Sequence, residues 1–277
     1  MPRQTSSALG AIHAITAANR DSWNRIAPRR DGQPASFFRA GGSTLAACER
    51  ELAGDITGKR ILQLACSTGD EVLSWANLGA TAIGADISEV AVGKAMRKAA
   101  DAGIHAEFHR ADMFDLPAGL TSLDLIYLSW GAICWAPDLD TLAGIIAGHL
   151  RPHGSVLIFD HHPLWEVLTV RGENHLTITG DYFGRAAPRN SPDEAKQPTG
   201  ARGETEAPSF AAFVWPVSDV VMSLVRAGLR LDAFFEAPEP AIYADLGDAA
   251  AHIPAYYAIK ATKTACRALN GGGDHQQ

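Results

Sequence analysis

From position 60 onward the apolar residues fall into short runs of strand length, separated by longer stretches with helical spacing. Strand-like runs stand at residues 60–64, 80–85, 106–110, 123–129, 155–160, 230–236 and 255–261. Helical patterns cover 70–78, 89–102, 139–149 and 217–227, and Gly79 and Gly103 stop the first two as C′ glycines. Strands alternating with helices build βαβ units, so the pattern predicts an α/β fold: a doubly wound, seven-stranded sheet in a single domain without internal repeats. Ahead of it, Ile12, Ile15, Trp23 and Ile26 recur at roughly helical spacing and predict a helix over 8–26. A Pro/Arg/Gly-rich loop (27–34) and a second amphipathic stretch (42–53) complete an N-terminal helical cap over 1–53. The core then occupies 54–160 and ends with 217–265.

Residues 161–216, after the fifth strand, break the rhythm. They hold no long periodic run and include a polar stretch, 185–208, rich in Pro, Gly, Glu and Arg. So long an excursion inside a domain is expected to be a lid or substrate-binding insertion, or else a tolerated surface insertion; the lid is the preferred reading. The tail from Gly271 is expected to be disordered.

With 47% hydrophobic and 20% charged residues, a chain of 277 residues has material for a large core. A net charge of −7 argues against a nucleic-acid partner. Apolar runs are too short for a membrane span, and residues 1–10, with one basic residue and no apolar stretch, do not resemble a signal peptide. Cys48, Cys66, Cys134 and Cys266 lie far apart without a CxxC pair, which favours neither zinc nor disulfides and suits a reducing compartment. A cytoplasmic protein acting on a small molecule is expected, with no membrane or nucleic-acid partner and a homodimer left open.

The chemistry centres on the turn after the first strand. Arg60-Ile-Leu-Gln-Leu64 runs into Ala65-Cys66-Ser67-Thr68-Gly69 and then a helix starting Asp70-Glu71. Small residues between a parallel strand and a helix let backbone approach a ligand at the carboxyl edge of the sheet. Asp86 ends the second strand, where a carboxylate can accept both ribose hydroxyls of an adenosine cofactor. The plainer account of Asp86 is a cap for the next helix, although Ser88 fills that role. Asp70 and Glu71 are accounted for as favourable charges on a helix dipole.

These segments, in order, resemble the motifs of class I S-adenosylmethionine-dependent methyltransferases, with their Rossmann-like fold. Ile61-Leu-Gln-Leu-Ala-Cys-Ser-Thr-Gly69 resembles motif I, Gly84-Ala-Asp-Ile-Ser88 motif II, Arg110-Ala-Asp-Met113 motif III and Leu123-Asp-Leu-Ile-Tyr-Leu-Ser129 motif IV. Leu150-Arg-Pro-His-Gly-Ser-Val-Leu157 resembles the entry to the fifth strand. The likeness runs over residues 15–262 and is nearest a bacterial small-molecule branch, through Asn19-x-x-x-Trp23 and Trp130-Gly-x-x-x-Trp135. Motif I departs from the commoner pattern: Gln63 replaces a frequent acid, which would loosen the hold on the methionine ammonium, and Ala65 and Ser67 replace glycines.

The resemblance implies an S-adenosylmethionine-dependent enzyme and a set of roles. Ala65 would offer its carbonyl to the methionine ammonium, with Cys66, Ser67 and Gly69 lining the amino-acid end. Asp86 would hold the ribose and Ile87 pack on the adenine. Asp112 would accept from the adenine amino group, or else be a turn residue, with the Met113 N–H near a ring nitrogen. Leu128 and Ser129 would border the sulfonium, with Trp23 also against the cofactor.

Methyl transfer is an in-line displacement that asks chiefly for alignment and exclusion of water; a base is needed only if the acceptor must lose a proton. His161 and His162, after the fifth strand, are candidate bases, with a structural or orienting role equally open. As adjacent residues without a nearby carboxylate pattern, they are not expected to bind a metal. Trp130, Trp135, Trp165, Tyr182, Phe183, Phe213 and Trp215, with Phe210, predict an apolar or aromatic acceptor pocket that welcomes a cation; Trp23 and Trp135 also have a plain account as core. The competing readings are an S-adenosylmethionine-binding protein without transfer and an NAD-type oxidoreductase. The chain has no GxGxxG, and residues 254–260 suit the methyltransferase ending.

Overall fold

The first strand of the sheet, β1 (Arg60–Leu64), is buried at every position but its first, as a strand covered on both faces must be. Its side chains alternate between two cores. Ile61 packs with Val72 and Trp75 on one face. Leu62 and Leu64 pack with Leu142, Ile146, Val220 and Leu224 on the other. The structure, a computed structural model, describes residues 6–170, 175–189 and 208–265. Most of the expected polar stretch and the Gly271 tail therefore lie outside the described residues, as does Cys266.

In chain order the elements are α1 (Ser6–Ile26), α2 (Ala35–Arg39), α3 (Ala47–Ala53), β1, α4 (Asp70–Asn77), β2 (Thr81–Asp86), α5 (Glu89–Ala102), β3 (Glu107–Arg110), β4 (Leu123–Ser129), α6 (Leu139–His149) and β5 (Leu150–His161). The chain continues through α7 (Leu164–Val167), β6 (Leu168–Val170), β7 (Leu176–Ile178), β8 (Arg185–Arg189), β9 (Ala212–Val214), α8 (Val217–Arg226), β10 (Leu229–Ala237) and β11 (Tyr256–Lys263). The seven-stranded sheet has the order β10-β11-β5-β4-β1-β2-β3. β1 to β5 are parallel, and β11 enters antiparallel between β5 and β10. This is the expected Rossmann-like, doubly wound α/β fold of the class I methyltransferase type. Among the described residues no helix is long and apolar enough to cross a membrane.

Strand order runs outward from β1 through β2 and β3 and then reverses to β4 on the other side of β1, and at such a reversal a doubly wound sheet opens a crevice. Two departures from the sequence pattern matter there. β5 begins at Leu150 rather than 155, because Leu123 pairs with Leu150 before a register shift, although Pro152 to Gly154 read as a turn. The segment after β5 is not devoid of regular structure: β6 pairs with β7 and β8 with β9, both antiparallel.

Candidate active site

The β1–α4 turn holds its shape without the usual glycines. Ala65 and Ser67 both take left-handed backbone angles, φ 55° and 48°, followed by Gly69 at 81°. That conformation costs a non-glycine residue about 1–2 kcal/mol, so something must hold it. Asp86 does so: its Oδ2 accepts the Ser67 N–H at 2.8 Å, while Oδ1 accepts the Ser88 N–H, also at 2.8 Å. Ser88 in turn caps α5, accepting the Ala91 N–H. Below the turn the backbone approaches closely. A Cβ at Gly84 would lie 2.8 Å from both Cys66 Sγ and Phe108 Cδ1.

A cavity of roughly 1110 Å³, counting its open mouth, lies above this turn. One part of its wall is charged, with Arg30, Glu71, Asp86 and Asp112; another is aromatic, with Trp23, Trp130 and Trp135. α1 forms the roof. Thr16 Oγ1 donates to Asp112 Oδ2, whose partner oxygen accepts the Phe114 N–H at 2.9 Å. Asn19 grips the backbone of Ala211 twice, donating from Nδ2 to its carbonyl at 2.9 Å and accepting its N–H at 2.8 Å. Trp23 meets Trp135 edge to face at 5.1 Å and Phe210 at 5.0 Å. The N-terminal helix and residues 208–215 thus dock together over the crevice.

Arg30 reaches the cavity on a loop pinned from α5. Lys94 Nζ donates to the carbonyls of Ala27 and Pro28, and Lys98 Nζ to that of Asp31. Asp70 pairs with Lys98 and accepts the Gln33 N–H. The guanidinium stands 5.3 Å above the Trp23 ring. Burial pulls the Arg30 pKa down, opposed by Asp86 and then Glu71. Burial likewise pushes the Asp86 carboxyl up, against the backbone N–H donors and Arg30, and pushes Glu71 up against its N–H donor and Gln63.

The loop after β4 is set by a buried carboxylate. Asp160 accepts N–H groups from Gly131, Ile133 and His161, the last two at 2.9 and 2.7 Å. This holds Trp130 at φ 38° with its ring against Phe159 and His161, each at 5.0 Å.

Of the expected site residues, Trp23, Ala65, Cys66, Ser67, Asp86, Ile87, Asp112, Met113, Ser129, Trp130 and Trp135 line the cavity. Gly69 shapes the turn and Leu128 is buried in the core; neither is on the wall. His162 is also off the wall: Nε2 is 2.7 Å from Glu236 Oε1 and Nδ1 accepts the Leu164 N–H. His161 sits behind Trp130, its Nδ1 buried without a hydrogen-bond partner. Burial pulls both imidazoles down, against Asp160 for His161 and Glu236 for His162. Trp165 packs on Tyr243, Tyr182 stacks on His162, and Phe183 is exposed. Phe213 stacks on Trp215, whose Nε1 donates to Ala136. These five aromatics fix the insertion and lie outside the cavity wall. The sequence reading gave no site role to Thr16, Arg30 or Glu71, and met Gln63 only as a departure from the motif I pattern. The two acids at the helix start are both half-buried and differ in their partners: Asp70 faces Lys98, whereas Glu71 faces the cavity.

An adenosine cofactor fits this wall. Each Asp86 oxygen accepts one N–H at 2.8 Å, and a carboxylate oxygen has about two lone-pair sites, leaving room for ribose hydroxyls. Comparison with known proteins agrees. Residues 61–154 match the sequence profile of the methyltransferase domain family. A demethylmenaquinone methyltransferase from Thermus thermophilus is 31% identical over 115 residues, covering 41% of this chain and 52% of that protein, so the match spans about half the length of this curated relative. A solved S-adenosylmethionine-dependent methyltransferase from Mesorhizobium loti superposes with a TM-score of 0.60 at 22% identity, over 78% of this chain and 96% of that one. The [4+2]-cyclase SpnF superposes with a TM-score of 0.55 at 18% identity, over 88% and 95%. The fold is therefore of the class I methyltransferase type, and residues 61–154 of its core match the methyltransferase domain family.

Proposed function

We propose that this protein transfers a methyl group from S-adenosylmethionine to a small, apolar or aromatic metabolite. The observation that carries the reading is the division of one cavity wall into a charged part at the β1 and β2 ends and a tryptophan part at the β4 end. When bound, S-adenosylmethionine supplies an activated methyl carbon on a sulfonium. Asp86 accepts from the ribose, and Asp112 and Met113 face the adenine. Ser129, at the end of β4, borders the methyl-bearing sulfur. Trp23, Trp130 and Trp135 present ring faces and edges that stabilise a cation and select a flat, apolar acceptor. α1 and residues 208–215 exclude water and hold the acceptor in line, which is the main requirement of such a displacement.

The tryptophan part of the wall meets Arg30, 5.3 Å above the Trp23 ring, and is backed by His161 behind Trp130. An acceptor that is already a nucleophile needs no base there, and in this reading His162, held by Glu236 and Leu164, supports the β5 end. A cavity that binds S-adenosylmethionine without transfer is the second reading. The test incubates the protein with S-adenosylmethionine and a panel of aromatic amines, phenols and carbon nucleophiles, and follows S-adenosylhomocysteine by mass spectrometry. Acceptor-dependent S-adenosylhomocysteine supports transfer. Tight binding with no turnover across the panel favours the second reading, and no binding at all removes both.

A further inference from the structure

We infer that Glu71 and Gln63 together form the receptor for the primary ammonium group of the bound ligand, with the negative charge supplied from α4 and a neutral amide from β1. This rests on the cofactor reading above and specifies how that site recognises its ligand. Gln63 is 2% exposed and lies on the cavity wall. Its Nε2 donates to Glu71 Oε2 and to Ser129 Oγ, each at 3.3 Å, which uses both amide protons. Oε1 is left buried without a hydrogen-bond partner. Turning the amide over would set its oxygen against the Glu71 carboxylate, so Glu71 fixes which end of the amide is left over.

Glu71 is the other half of the argument. Its neighbour Asp70 is matched by Lys98, but Glu71 turns to the cavity with a neutral amide as partner. Arg30, a cation on the same wall, stands over the Trp23 ring with both Asp86 and Glu71 in its field. A half-buried carboxylate without a dedicated counter-ion is costly, and a buried amide oxygen without a donor adds to the cost. An ammonium group relieves both at once, because it brings a positive charge and three N–H donors. Neither a hydroxyl nor a carboxylate on the ligand would do so. The neutral residue at position 63 therefore does not leave the ligand's amino group without a counter-charge: α4 provides it.

Calorimetry on the full chain tests this with two nucleosides, S-adenosylhomocysteine, which carries the ammonium, and 5′-methylthioadenosine, which lacks it. Glu71→Gln keeps the shape and removes the charge. It should weaken S-adenosylhomocysteine by about tenfold or more, the scale of a charge-assisted bond, while 5′-methylthioadenosine binds as to wild type. Adding Gln63→Glu to Glu71→Gln returns a charge to the same wall and should recover most of the loss. Glu71→Gln binding S-adenosylhomocysteine like wild type, or weakening both nucleosides equally, would overturn the inference. Wild-type protein binding neither nucleoside would overturn the cofactor reading itself, and the inference with it.

Discussion

Asp86→Asn is the substitution that separates ligand binding from loop integrity. Alanine would not: it strands the N–H groups of Ser67 and Ser88, each now 2.8 Å from a carboxylate oxygen. At about 1–3 kcal/mol for each buried orphan, the turn itself would give way before affinity could be read. Asparagine keeps one acceptor and the side-chain volume, and it removes a carboxylate whose ionisation burial opposes. One N–H, of Ser67 or Ser88, then faces an amide nitrogen, so melting should fall, though by less than with alanine. Binding is different, because two ribose hydroxyls would lose charge-assisted acceptors and find one neutral oxygen. Taking about 2–3 kcal/mol for that loss, affinity for S-adenosylhomocysteine should fall on the order of 30- to 150-fold. Isothermal titration measures it directly, alongside an analogue without the two ribose hydroxyls. Unchanged affinity for S-adenosylhomocysteine would refute the ribose assignment, and so would an equal loss on the analogue.

Three further outcomes are expected. Asn19→Ala removes both bonds to Ala211, about 2 kcal/mol in all, and should raise hydrogen exchange across residues 208–215 and lower turnover while the sheet keeps its protection; unaltered exchange there would count against the clasp. Ala65→Val puts a β-branched residue at φ 55° and should destabilise the protein by about 1–2 kcal/mol in chemical denaturation, whereas Ala65→Gly should be neutral or mildly stabilising because its strain relief is offset by chain entropy. Burial raises the Glu49 carboxyl against its bonds from Tyr127 and Ala46, so the folded state holds that proton more tightly than the unfolded chain. Stability from this group is complete below the ordinary carboxylate range and is lost as pH rises through the raised value; the melting temperature of Glu49→Gln relative to wild type should therefore climb over that interval, and a flat difference would contradict it.

Local chemistry explains what was legible. α5 was read to the residue because a serine cap opens it and Gly103, at φ 72°, closes it. The β1–α4 turn was legible because only small residues suit its left-handed angles. Where position depends on contacts far along the chain, the sequence was silent. α2 is five residues long and too short to show a period. Arg30 lay in a stretch that reads as a plain loop, and only the grip of Lys94 and Lys98 turns it inward. Glu71 looked like a surface charge because a helix dipole accounts for any acid in a first turn. The aromatics misled in the opposite sense: clustering in sequence is not convergence in space, and Trp165, Tyr182, Phe183, Phe213 and Trp215 lie away from the cavity.

The clasp between Asn19 and Ala211 joins residues 192 positions apart. Closing so long a loop adds little equilibrium cost, because the entropy grows only with the logarithm of length, but contacts of that separation are slow to find. The βαβ units between them rest on near neighbours and can assemble first. The order of events then follows from topology. During synthesis α1 can meet Asp112 and Trp135 before its clasp exists, and the cavity roof is completed only once residue 211 has been made and has folded back onto α1. A chain stopped short of that point would have the floor of the cavity and only the α1 half of its roof.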